Sequence, residues 1–196
     1  MGALLRALAF GLVLGLPADF SVAADADLQL FGRDVGKEKA YACYARTYTK
    51  AHLANHPDQN VREMMVFVDS YEDEGGAGRQ YVLGMSVNFR QLKRPYSTYG
   101  GCSAGTDGKK ALHCGIDCDG GTIGVRIKDK NSILLDIPDG ARVSDDEGEE
   151  ELSDLPKGAK FGSDDKIFRL DRTALSTCLP LASDEETKAA LLAAAH

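Results

Sequence analysis

Apolar and polar residues alternate along much of this chain. From Tyr81 to Phe89, the positions Tyr81, Leu83, Met85, Val87 and Phe89 share one face, as a half-solvated antiparallel strand requires. Val61 to Tyr71 carries Met64-Met65-Val66-Phe67-Val68, a run that needs burial on one face and cover on part of the other. Asp73-Glu74-Gly75-Gly76-Ala77-Gly78 turns the chain between these two strands. Tyr96 to Ala104 and Ala111 to Ile116 flank a turn at Gly105-Thr106-Asp107-Gly108, where Asp-Gly is a strong turn signal. Thr122 to Lys128 alternates Ile123, Val125 and Ile127. Asp129-Lys130-Asn131 reverses it, and Ser132 to Ile137 returns until Pro138 stops the strand. Lys166 to Asp171 is a last short strand, with Ile167, Phe168 and Leu170 for burial.

Tyr41 to Tyr48 reads two ways. A helix would place Tyr41, Tyr44 and Tyr48 on one face, whereas a strand alternates Tyr41/Cys43/Ala45 against Tyr44/Arg46/Tyr48. Tyrosine density favours the strand. Thr49 then N-caps a short helix, Lys50 to Asn55, which Pro57 stops. Near the end, Ser183-x-x-Glu186 has the form of a capping box before an Ala/Leu-rich helix, Thr187 to Ala195. Ala26 to Glu38 is polar and Gly-containing, and reads as a loosely held lead-in. Asp139 to Pro156 is a long acidic loop.

About eight short strands joined by tight turns, with no long helix between them, disfavour parallel βαβ units. The expected fold is mainly β, an antiparallel meander closing into a barrel or sandwich, with a short helix after the first strand and a C-terminal helix.

The N-terminus belongs to a different class of sequence. Arg6 precedes an apolar run, Ala7 to Leu16, which Pro17 breaks, and Ala23, Ala24 and Ala26 offer small-x-small cleavage positions. Residues 1–24 therefore read as a secretory signal, and residues 25–196 as one β-rich domain with the acidic loop 139–156. The run of about ten residues is too short to span a bilayer, and no later segment would span one after signal removal. The expected location is periplasmic or secreted. Removing residues 1–24 takes away one base, Arg6, and one acid, Asp19, so the net charge stays at −7. An acidic chain without a basic stripe repels phosphate backbones, which makes nucleic acid a poor partner.

Export permits disulfides. The chain has 5 cysteines: Cys43, Cys102, Cys114, Cys118 and Cys178. An odd count suggests two bridges and one free thiol. Cys102 and Cys114 lie nearly opposite each other if the intervening turn centres near Thr106 to Lys109, although Cys118 competes for Cys102. Cys43 on the first strand and Cys178 after the last would lock the closing edge of a meander.

Candidate chemistry is sparse. His52 and His56 have i, i+4 spacing, which can place two imidazoles on one helical face for a metal, but the adjacent Glu of zinc peptidases is absent. A Cys–His nucleophile is a further option, without a supporting motif. Cys114-x-x-x-Cys118 has neither redox-pair nor zinc-knuckle spacing. Asp117-Cys118-Asp119-Gly120-Gly121 opens like a calcium loop and fails where Gly121 and Lys128 stand; Asp117 and Asp119 remain candidate binding groups. Tyr44, Arg46, Tyr48, Arg90, Arg94, Tyr96 and Tyr99 form a mixed aromatic and basic set. Of these, Arg46, Tyr48, Arg94 and Tyr96 are the candidates for a ligand at a barrel mouth. No cofactor is implied. The absence of Trp removes the lipocalin signature.

The pattern Cys43-Tyr44-Ala45-Arg46, His52-Leu53-x-x-His56-Pro57, Cys114-Gly115-x-Asp117-Cys118-Asp119-Gly120-Gly121 and Phe168-Arg169-Leu170-Asp171 resembles a family of small exported proteins of alphaproteobacteria, over about residues 40–180. The resemblance implies export and a single domain, and no assigned activity. Two functions follow as expectations. One is a non-enzymatic exported β-domain that binds a small ligand, envelope component or protein partner. The other is a periplasmic hydrolase or metal-binding protein using His52, His56 or a free cysteine.

Overall fold

A computed structural model describes residues 26–106, 111–116, 119–145, 156 and 158–194. Residues 1–25, expected from sequence to include a signal, lie outside the described residues, as do Asp117, Cys118 and the centre of the acidic loop.

The sequence alternation closes into a barrel. Residues 26–31 form a short helix, α1. There follow β1 (Ala40–Thr47), α2 (Lys50–Asn55), β2 (Val61–Asp73), β3 (Gly78–Phe89), β4 (Tyr96–Ala104), β5 (Leu112–Ile116), β6 (Thr122–Asp129), β7 (Ser132–Asp136) and β8 (Ile167–Arg172). A 3-10 helix (Leu175–Leu181) and α3 (Glu185–Ala193) end the chain. Each strand pairs antiparallel with the next, and β1 pairs with β8 through Tyr44↔Arg172 and Ala45↔Asp171. The protein is therefore a closed eight-stranded meander, and closure removes the exposed strand edges that invite aggregation.

The inward series of each strand fills the interior. Tyr44, Met64, Leu83, Met85, Phe89, Leu112, Ile123, Ile133, Leu135 and Phe168 are fully buried. A small barrel packed in this way is a core, not a container. Apolar residues point inward, the reverse of the lipid-facing pattern of an outer-membrane barrel. No described helix is long and apolar enough to cross a membrane.

The two ends of the barrel follow from strand direction. One end gathers α2, the β3–β4 connection and the long β7–β8 connection, from which Val143, Ala159 and Phe161 pack onto the core. Phe161 meets Phe89 and Phe168 edge-on, with ring centroids 5.7 and 6.2 Å apart. Buried Asp165 pins that connection to the start of β2. Its carboxylate accepts from the backbone N–H groups of Asn60 (2.7 Å), Gly162 (2.8 Å) and Val61 (3.3 Å). Gly162 has no room for a side chain, because a Cβ there would lie 1.8 Å from the Asp58 carbonyl oxygen.

The other end is covered by α1. Ala26, Asp27 and Leu30 are buried while Leu28 is exposed, so one helical face points into the barrel. This overturns the reading of a loose lead-in for residues 26–31, while 32–38 are exposed except Val35. The face is short and half polar, which hides its period from the sequence.

The remaining differences are local. Ile167 is exposed, because the inward register of β8 runs through Phe168 and Leu170. The cap of α3 is Asp184, not Ser183: its side chain accepts from Thr187 N at 2.8 Å. Asp and Ser are both good caps, and the sequence does not choose between neighbours. The 3-10 helix has no sequence counterpart among the expected elements. It packs with α3 on the outside of β1 and β2, where Cys43, Phe67, Cys178, Leu181 and Leu191 form a second, smaller core.

Two disulfides join Cys43 to Cys178 and Cys102 to Cys114. The first spans 135 residues and fastens the C-terminal segment to β1. The second crosslinks directly opposed residues of β4 and β5.

Candidate functional site

The residues singled out from sequence separate into three places. Thr49 caps α2 by accepting from His52 N at 3.1 Å, and His52 on the helix lies beside His56 at its C-cap. Their rings stack, 4.4 Å between centroids and 23° between planes. In-plane nitrogen lone pairs on stacked rings point in parallel, not toward a common ion. His52 stacks also on Tyr48 at 4.8 Å, and Arg46 lies 5.9 Å from the Tyr48 ring centroid. The column is tied at each end by a carboxylate. Arg46 Nη1 donates to Asp171 Oδ2 at 2.6 Å, and His56 Nδ1 lies 3.9 Å from Asp164 Oδ2. Gln59, itself buried, donates through Nε2 to the Val61 carbonyl, so its Oε1 accepts from His52 Nε2 at 2.9 Å. Burial pushes the Tyr48 hydroxyl up to about 12, so it stays protonated at neutral pH. Among the described residues, no third His, Cys, Asp or Glu joins the two histidines as a metal group.

The rest of the set is dispersed. Tyr96 is a core residue packed 5.9 Å from Phe89. Arg94 reaches Asp145 at 3.6 Å. Asp119 is exposed in the turn after β5, in the left-handed region with φ 57°. Asp117 lies outside the described residues. His113 sits on β5 opposite Ser103 and Gly124, at the far end of the barrel from α2, and points outward. Among the described residues, no converging set of groups for histidine-based catalysis is found.

A convergent set exists elsewhere. The core-facing register of β3 runs through Tyr81, Leu83 and Met85. One step back, the same face carries Arg79. The core-facing register of β8 runs through Phe168 and Leu170. One step on, it carries Arg172. Both arginines therefore point into the barrel at the α1 end, beside Tyr44 and Tyr81. Tyr81 Oη donates to Asp27 Oδ1 at 3.0 Å. Arg79 Nε lies 3.4 Å from Asp27 Oδ2, with both side chains 5% exposed. That Nε makes no aligned hydrogen bond. The rest of the Arg79 guanidinium donates to Ser70 Oγ and to the carbonyls of Gly36 and Glu38 at 2.7, 3.2 and 2.8 Å. Arg172 Nη2 donates to the Leu30 carbonyl at 2.6 Å and to Tyr44 Oη at 2.8 Å, while its guanidinium covers the Tyr44 ring at 4.9 Å. Tyr44 Oη donates to the same carbonyl at 2.8 Å.

Burial raises the Asp27 carboxyl above its ordinary value, and the nearby Arg79 only partly offsets this. Burial likewise raises Tyr44 and Tyr81. The mouth therefore presents two guanidiniums and two protonated phenols to the Asp27 carboxylate, the Ser70 hydroxyl and the carbonyls of Leu30, Gly36 and Glu38. Sequence reasoning missed Arg79 and Arg172 because each lies just past the apolar run of its strand. Extending the two-residue alternation by one step would have found both.

No family model, curated protein or solved structure matches this chain.

Proposed function

We propose that this chain is an exported, disulfide-stapled β-barrel that works by binding and not by catalysis, and that its binding surface is the mouth ringed by Tyr44, Arg79, Tyr81 and Arg172. One observation carries the reading: two arginines occupy the core-facing register at the same end of a barrel whose core is mainly apolar. Placing guanidinium groups in a core is costly unless a specific partner meets them. Recognition sites commonly combine an apolar wall with a few convergent polar groups in this way. Export fits two disulfides and the signal-like residues 1–24, and kinship with small exported alphaproteobacterial proteins belongs to the same reading.

The test has two parts. The full chain is expressed in a Gram-negative host, fractionated and mapped by mass spectrometry without reduction. We expect a periplasmic product whose N-terminus lies near Asp25, with both bridges formed. An unprocessed cytoplasmic product would overturn the export half. The purified protein is then assayed against ester, peptide and glycoside substrates beside a His52→Ala/His56→Ala variant. Turnover present in the wild type and lost in the variant would overturn the binding half.

A further inference from the structure

We infer that α1 is a built-in pseudo-ligand, and that the mouth it occupies recognises a short helical segment of a partner polypeptide with a carboxylate three residues ahead of an apolar side chain. This rests on the reading of the mouth as the binding surface. The pattern recognised is the one α1 displays: Asp27 meets Arg79 and Tyr81, Leu30 enters the core, and the Leu30 carbonyl meets Tyr44 and Arg172. It is helix-in-groove recognition, with the chain supplying its own helix.

Three observations set α1 apart from an ordinary part of the core. Its buried carboxylate, Asp27, meets a side-chain cation, Arg79, whereas Asp165 at the opposite end accepts from backbone N–H groups. It joins β1 through residues 32–39, all exposed except Val35, in which Gly32 and Gly36 take positive φ of 75° and 54°. Its fit is incomplete, since the nine-tenths-buried Arg79 leaves Nε without a hydrogen bond. A carboxylate placed to accept from that Nε would improve on the internal contact. Charge complementarity selects an acidic segment, and the helical turn spaces its carboxylate from its apolar anchor.

Covalent attachment gives α1 an effective concentration of about millimolar order, so a competitor must overcome it. The experiment removes that advantage in the full chain. A protease site is inserted after Asp34, where residues 32–34 are exposed, and cut after folding. A fluorescent, end-capped peptide of residues 25–33 is then titrated against cut and uncut protein. The cut protein should bind saturably, at least about tenfold more tightly than the uncut one. A peptide carrying Asp27→Asn should bind at least about tenfold more weakly.

An unrelated helical peptide with the same Asp-x-x-Leu spacing should compete. Cut protein that stays folded by circular dichroism and binds no peptide overturns the inference, as does cut protein that unfolds, or binding indifferent to Asp27→Asn. A long-chain fatty carboxylate that binds where the peptides do not would assign the mouth to a lipid instead and overturn the polypeptide. Concentration-dependent dimers of the uncut chain on size exclusion would assign the mouth to a second copy and overturn the proposal as well. Hydrogen exchange on the unmodified protein covers a failed insertion. Amides of α1 should exchange at least about tenfold faster than those of β2 and β3, and equal rates overturn the proposal. These failures leave the export and turnover tests untouched, so the two proposals fall separately.

Discussion

The two ends of the barrel each bury one carboxylate, and they hold it by different means. Asp165 accepts three backbone N–H groups from the chain around it. Asp27 meets an arginine and a tyrosine across the barrel mouth. The first belongs to an internal connection between β7 and β8, which cannot leave without dragging two strands with it. The second sits on α1, which joins β1 through residues 32–39. The same chemical group is therefore a structural rivet at one end and a latch at the other.

The sharpest break in this comparison is Asp165→Ala. It strands three N–H groups in a buried site, and each orphaned donor costs about 1–3 kcal/mol, partly relieved by relaxation. We expect a global loss of about 3–4 kcal/mol, read as a shift in urea midpoint with unchanged slope. At the same end, Gly162→Ala forces a Cβ against the Asp58 carbonyl. The backbone must move, and a loss of about 2 kcal/mol should appear in the same assay.

Arg79→Ala should behave differently. Breaking a buried pair ordinarily costs about 3–5 kcal/mol. Here α1 can undock and hydrate Asp27, which caps the global loss at about 1–2 kcal/mol. Protease cleavage near Arg33 and Lys37 should accelerate while strand amides keep their protection. A full-sized global loss with no local exposure would show the two ends to be alike.

The smallest expected effect concerns pH. Burial raises the folded-state pKa of both Asp27 and Asp165 above the ordinary 3.8. The folded state then holds its proton longer than the unfolded state, so each group lowers stability as pH rises from about 3.8 through its elevated value. Asp165→Asn removes that contribution at one end. The stability gap between wild type and variant should be widest below the ordinary carboxyl range and narrow as pH rises. Urea midpoints between about pH 3 and 7 check the sign.

Much of the barrel was legible because strand alternation is a local signal. Tyr81 to Phe89, Thr122 to Lys128 and Ser132 to Ile137 show their faces without reference to any partner. Pro57 and Thr49 likewise mark α2 from within a few residues. The candidate site was far less legible. His52 and His56 satisfy a metal spacing, yet nothing local says that their rings stack on Tyr48 instead of turning to a common point. Arg46 and Arg94 look available for a ligand until Asp171 and Asp145, distant in the chain, lie beside them. Arg79 and Arg172 sit on opposite sides of the barrel sequence and carry no motif.

The sequence by itself determined the period of the strands, the turns between them and the cysteines available for bridging. These follow from neighbouring residues and from backbone geometry that depends on little else. Only the tertiary structure decided that β1 meets β8, that Cys43 faces Cys178, and that two arginines more than ninety positions apart face the same helix. Closure of the sheet makes those contacts. Their energy depends on burial and on distance between groups that share no local pattern, so it exists only once the barrel has closed.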